Sequence, residues 1–229
     1  MWQEIHEELG TEGLAVITVA IDRSPDDARP YIERAKATHP SLIDTEHRVA
    51  DLYNMVNVPT VVWIDESGRI VRPQDVHYVS PEFSSITKFH PRKPLAALRA
   101  WVRGEAPAYT GDVTADTKVP TEADQEARAA FALGWWLAQQ GREDAAERWF
   151  VHAGELAPHD FMIRRGSMPI RGIDPSGPAF FAMTQEWRDQ GKPYYLPLED
   201  TATSNEDFEV EPIEMLTLEE IRRRIAENG

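Results

Sequence analysis

The chain has 229 residues, 41% of them hydrophobic and seven of them Trp, which is enough for a sizeable core and more than one small domain. Its formal charge of −15 is uneven: 15 acidic against 12 basic residues up to Gly104, and 24 against 12 beyond. A field of that sign repels phosphate backbones and anionic lipid, no apolar run reaches the ~18 residues of a membrane span, and zero cysteine removes disulfides, thiolate nucleophiles and zinc–sulfur sites from these residues. No nucleic-acid or membrane partner is expected. The opening MWQEIHEELG is acidic and amphipathic, without the basic start and apolar stretch of a signal peptide, so the sequence as it stands reads as soluble and cytoplasmic. Seven scattered His show no metal spacing, and neither a metal nor a cofactor is expected.

Along the chain, Trp2, Ile5 and Leu9 have helical spacing, with Gly10 as a stop. Residues 14–21, "LAVITVAI", form an almost unbroken β-branched run, the pattern of a strand covered on both faces. Ser24 as cap, Pro25 and the Asp26–Asp27 pair open a helix over 25–38 with Ala28, Tyr31, Ile32 and Ala35 inward. Residues 41–44 are a short extended piece. Thr45 caps a helix over 46–54 with Val49, Leu52 and Tyr53 inward. Strands at 60–64 and 69–72, joined by Asp65-Glu66-Ser67-Gly68, form a hairpin. A loop at 73–91 leads to a helix over 93–103.

The Pro/Gly/Thr-rich stretch 105–121 reads as a linker, and 122–160 as a helical pair broken at Gly141. Residues 161–198 are irregular and aromatic, with one helix near 177–190. Residues 199–229 form an acidic tail, in which Thr217 to Glu220 is a capping box opening a final helix with Leu218, Ile221 and Ile225 on one side. Acid pairs such as Asp26–Asp27 are caps rather than a catalytic dyad, and no Ser-His-Asp arrangement can be argued. The glycines near Gly172 and Gly177 lack a phosphate-binding setting.

Two resemblances organise these elements. In residues 1–104, the strand ending at Asp22, "LID" at 42–44, the Tyr53-x-x-x-x-Val58-Pro59-Thr60 turn and "WIDESGRIV" resemble, in that order, the thioredoxin superfamily, closest to its TlpA/ResA-like and peroxiredoxin-related branch. The expected fold is α/β and thioredoxin-like but incomplete, followed by an α-helical hairpin and an irregular C-terminal segment. The resemblance implies a cis bond before Pro59. It also implies a loop in which Val58 offers backbone groups to an extended polypeptide, Pro59 shapes the turn and Thr60 starts the strand. Its reactive C-x-x-C would precede the helix at 2–9 and lie upstream of this chain, which therefore contains no catalytic residue. Three accounts stay open: a natural redox-dead relative, a fragment, or an upstream selenocysteine whose codon reads as stop, as in ResA-like bacterial selenoproteins.

In the second resemblance, residues 127–160 are similar to one tetratricopeptide repeat, carried by Leu133, Gly134, Gly141, Ala146, Phe150, Ala153 and Pro158. Gly134 and Ala153 are expected to let the helices approach, with Leu133 and Phe150 filling between them. Trp135, Trp136 and Trp149 are expected in the core. The implied function is a thiol–disulfide or selenol-based oxidoreductase acting on protein thiols, disulfides or small peroxides once its reactive group is supplied. The alternative is a non-catalytic module that binds a protein partner through the helical segment.

Overall fold

The computed structural model describes residues 1–79, 84, 89–191, 195 and 198–202. The tail from 203 onward, with its expected final helix, lies outside them. The architecture is mixed α/β, with two small sheets and a larger helical part.

Helix α1 spans Trp2–Leu9 and buries Ile5 and Leu9, as their spacing requires. The chain does not stop at Gly10. A 3-10 turn, Gly10–Glu12, follows, and the reversal comes at Gly13, whose φ of 102° a side chain would oppose. Strand β1 is only Thr18–Ala20, paired in parallel with β2, Ser41–Ile43, from Thr18↔Ser41 to Ala20↔Ile43. The expected strand covered on both faces is not found: β1 is half-buried, and Ile17 before it is 59% exposed. The physical reason is that β1 has one strand neighbour among the described residues, so apolar side chains lack a second wall.

Helix α2, Pro25–Arg34, starts on the Ser24 side chain, which accepts from the Asp26 amide at 3.1 Å. It ends four residues before 38 because Lys36 takes a φ of 49°. Ala28 is its buried residue, whereas Tyr31 turns outward beneath the Arg34 guanidinium. Helix α3 is the five-residue Arg48–Leu52 rather than 46–54. Its start is held by Asp44, not Thr45: the Asp44 carboxylate accepts from the amides of Glu46 and Val49. Ala50 is buried there and Leu52 points to solvent, which corrects the inward set.

Strands β3, Val61–Ile64, and β4, Ile70–Asp75, form the expected hairpin, with β4 ending three residues later than its β-formers suggested. The register runs Val61↔Asp75, Trp63↔Arg72 and Ile64↔Ile70, with irregularities between. Asp65 closes the turn by accepting from the amides of Ser67 and Arg69, and Gly68 supplies a φ of 81°. Helix α4, Arg92–Val102, lays Leu98 into a core shared with Ile5, Leu9, Val16, Trp63 and Tyr78. Trp63 stacks on Trp101 with centroids 4.9 Å apart. The β3–β4 hairpin contributes Trp63, Val61 and Val71 to this core, and Val16, on the segment that leads into β1, joins it.

The stretch 105–121, expected as a linker, is largely exposed and touches the rest of the chain at a few points. It holds a short helix α5, Val113–Asp116, capped by Asp112, and the buried Ala108 carbonyl accepts from Arg72 at 2.7 Å. Helices α6, Glu122–Gln139, and α7, Glu143–Leu156, form the expected antiparallel pair. A Thr121–Asp124 capping box opens α6, and Gly141 at φ 70° makes the turn. Gly134 faces the Phe150 ring so closely that an added Cβ would lie 2.9 Å from it. Phe150, Ala146 and Ala153 are buried as expected, and Pro158 follows α7.

Leu133 departs from its expected place. It is 37% exposed, and Phe131 and Leu137 fill the inner positions. Gly134 marks the line of closest approach, and a residue one step earlier lies about 100° round the helix. Trp135 is buried, while Trp136 and Trp149 lie on the outer surface rather than in the core. Two further helices follow, α8 Phe161–Ser167 and α9 Pro178–Asp189. Only the second is legible in the sequence; α8 begins on the Asp160 side chain, which accepts from the Ile163 amide.

Candidate functional site: the Val58 loop and its supports

Residues 53–60 connect α3 to β3, and every flank of this segment is tied down. The Tyr53 carbonyl accepts from the Gln74 amide group at 2.7 Å. The Val56 carbonyl accepts from the Phe161 amide at 2.8 Å, where α8 begins. The Val56 amide donates to the Tyr195 hydroxyl at 2.8 Å. Thr60 Oγ1 donates to the Asn57 carbonyl at 2.6 Å and lies 3.1 Å from the same Tyr195 hydroxyl. Burial pushes the Tyr195 phenol above its ordinary pKa, so it stays protonated as a donor. Within this segment Val58 and Pro59 are the exposed residues: Val58 is 42% exposed, and the bond between the two is cis. Val58, Pro59 and Thr60 thus lie together at the mouth of β3, held from behind.

The helical pair supplies much of that hold. Arg128 of α6 reaches across to the loop, donating to the carbonyls of Ala50 and Met55, the side chains of Asp51 and Asn54, and the Asp160 carboxylate. Burial raises the Asp160 pKa to about 6, even though Arg128 and the α8 amides favour its charged form. His47, next to Phe131 and Trp135 at 5.0 and 4.9 Å, is held below its ordinary pKa by desolvation, against the pull of Asp44 and Asp51. Leu133, Gly134, Gly141, Ala146, Phe150, Ala153 and Pro158 build the helical pair but do not line the loop.

A second polar group lies where β4 ends. Arg72 is fully buried, its guanidinium 4.8 Å over the Trp63 ring, and it pairs with both oxygens of Asp200. Lys93 donates to the Ala202 carbonyl, so residues 198–202 are strapped onto β4 and α4. Asp75, also buried, accepts from the His77 backbone amide at 2.9 Å and from its ring Nδ1 at 2.6 Å. Burial alone would raise the Asp75 carboxyl; the bonds and charge of His77, with the Thr201 hydroxyl, overcome this and hold it below the usual value. Sequence reading misses Asp75, His77, Arg72 and Tyr195. Asp75-Val-His77 is visible as an i, i+2 pair, which a strand places on one face. The contact of Tyr195 with Thr60, 135 residues away, leaves no local trace.

Among the described residues no group of three or more His, Asp or Glu is arranged to hold a metal ion, and no helix is long and apolar enough to cross a membrane. No protein-family model, no curated protein and no solved structure matches this chain.

Proposed function

We propose that this chain is the polypeptide-holding part of a thioredoxin-type thiol–disulfide or selenol-based oxidoreductase. Its reactive group belongs to a strand–helix unit that these residues do not contain. The observation that carries the reading is the interrupted sheet: β3 and the segment leading into β1 share one core, yet β1 pairs only with β2 and β3 only with β4, leaving one edge of each without a strand among the described residues. An unpaired buried edge is costly, and a strand laid between them would satisfy both sets of backbone groups. Such a strand would lead into α1, so that a thiol or selenol at the helix start faces Val58. There the helix terminus favours the anionic form that attacks disulfides. The substrates are protein disulfides or thiols, or small peroxides, and the exposed Val58 backbone is the holding point. Cytoplasmic residence belongs to the same reading.

A second reading, a non-catalytic binding module, is favoured by the outward Trp136 and Trp149 of the helical pair. A nitrogen–proton NMR titration with an unfolded, thiol-blocked polypeptide separates the two. The exchange reading predicts shifts at the amides of Val58 and Thr60. Shifts confined to the indole groups of Trp136 and Trp149 would transfer the function to the helical pair. Disulfide reduction by this cysteine-free chain alone would contradict the exchange reading outright.

A further inference from the structure

We propose that His77, aimed by Asp75, is a proton-transfer group for sulfur exchange at the Val58 loop, an assignment that rests on the exchange reading above. Three observations converge on it. First, Val61 and Asp75 are register partners at the end of the β3–β4 ladder, and Val76 next to them packs with Val56 of the loop, so the residues that follow β4 run beside that loop. Second, Tyr78 stacks on Trp2 at 5.5 Å, so the segment 75–78 touches α1 at its first turn as well as β3 at its start. The loop and the helix terminus that the exchange reading brings together are thus joined through these four residues. Third, the ring is fixed: Nδ1 lies 2.6 Å from a buried carboxylate oxygen, the backbone amide holds that same oxygen, and Phe89 packs at 4.6 Å. A carboxylate accepts, so Nδ1 carries hydrogen and Nε2 is the ring nitrogen left for a further partner. No partner of Nε2 is present among the described residues.

The backbone bond alone would complete the turn after β4. The ring bond goes further, because it sets the tautomer and orients a base. In the exchange step, the attacking thiol gives its proton to His77 Nε2 as its sulfur bonds to the nearer sulfur of the substrate disulfide. The old sulfur–sulfur bond breaks with its electron pair on the departing sulfur, and the imidazolium returns the proton to that thiolate. Thiol and disulfide go in, disulfide and thiol come out, and no further oxidant is needed. Asp75 acts through His77 and is a positioning residue.

The absence of cysteine makes the test clean. A Val58→Cys variant of the full chain is reacted with a small aromatic disulfide, dithiobis(nitrobenzoate), at neutral pH. His77→Gln in that background is expected to slow the reaction about tenfold, the effect on thiolate fraction of losing a one-unit depression in thiol pKa. Asp75→Asn, which keeps an acceptor for the backbone amide, is expected to slow it severalfold. Added imidazole is expected to restore the rate of a Val58→Cys/His77→Gly chain, which a purely structural role would not allow. Val119→Cys, exposed and remote in sequence, reports on unfolding and is expected to be indifferent to His77→Gln.

Equal rates with and without His77 in chains of native amide spectrum would overturn the assignment. So would an equal loss of rate on His77→Gln in the Val58→Cys and Val119→Cys chains, or a rate unmoved by Asp75→Asn. The assay needs no bound polypeptide. Failure of the polypeptide to shift Val58 would therefore sink the exchange reading while leaving these rates as they are.

Discussion

Gly134 shows what one missing atom does in this chain. A methyl group there would meet the Phe150 ring at 2.9 Å and the Ala146 carbonyl at 3.3 Å, both in a packed seam between two helices. Alanine gains about 0.5–1 kcal/mol over glycine inside a helix, but overpacking of this kind costs about 1–3 kcal/mol. Gly134→Ala is therefore expected to destabilise the chain by about 1–2 kcal/mol in urea unfolding. Gly154 in α7 is the control: its added Cβ would find only the Arg164 side chain, at 3.6 Å, an ordinary contact. Gly154→Ala is expected to stabilise by up to about 1 kcal/mol. If both substitutions have the same sign, the close approach at Gly134 is not what sets the helix spacing. The same residue explains why Leu133 lies outside the seam that its spacing suggests: the small residue is legible in the sequence, but not which neighbour its narrow side excludes.

Between elements, the seam joining the helical pair to α3 and the Val58 loop is polar and buried. Arg128 satisfies two carbonyls and three side chains there, and Asp160 starts α8 beside it. The seam carries two opposite pH dependences. Asp160 has its pKa raised to about 6 from 3.8, so its protonated form is the one the fold favours. Its contribution is full below pH 3.8 and is lost as pH rises through about 6. His47 is depressed below 6.5, so its contribution is present above that value and fades as the pH falls and the ring is forced to charge. Asp160→Asn keeps a side-chain oxygen for the Ile163 amide and removes one of the two. Unfolding free energies of parent and variant, compared from pH 4.5 to 7.5, are expected to diverge, with the parent losing about 2 kcal/mol relative to the variant. A constant difference would show that the Asp160 carboxyl titrates alike in folded and unfolded chains. Nothing local in the sequence marks this seam. No expectation falls on Asp160, and its meeting with Arg128, 32 residues away, follows only from how the helical pair docks.

At the scale of the molecule, the helical pair and the β3–β4 hairpin are legible because each is specified by neighbours in the chain: Gly141 and the Thr121–Asp124 box for one, Asp65 to Gly68 for the other. What the sequence overstates is β1. "LAVITVAI" has the composition of a strand buried on both faces, yet only Thr18–Ala20 pairs and Ile17 stands open to water. Apolar β-branched residues declare what a strand needs, not whether its second neighbour is present. That unmet need, together with the edge of β3 that has no strand beside it among the described residues, is what the proposed exchange function rests on. Val58 is exposed just before β3, with Tyr195, Phe161 and Thr60 holding the loop behind it.

The most direct measurement reads the coding DNA in frame on the 5′ side of the Met1 codon, through any stop. The account predicts an apolar strand-like run that closes on a Cys or UGA codon shortly before Met1. Unrelated or frame-shifted sequence there would contradict it.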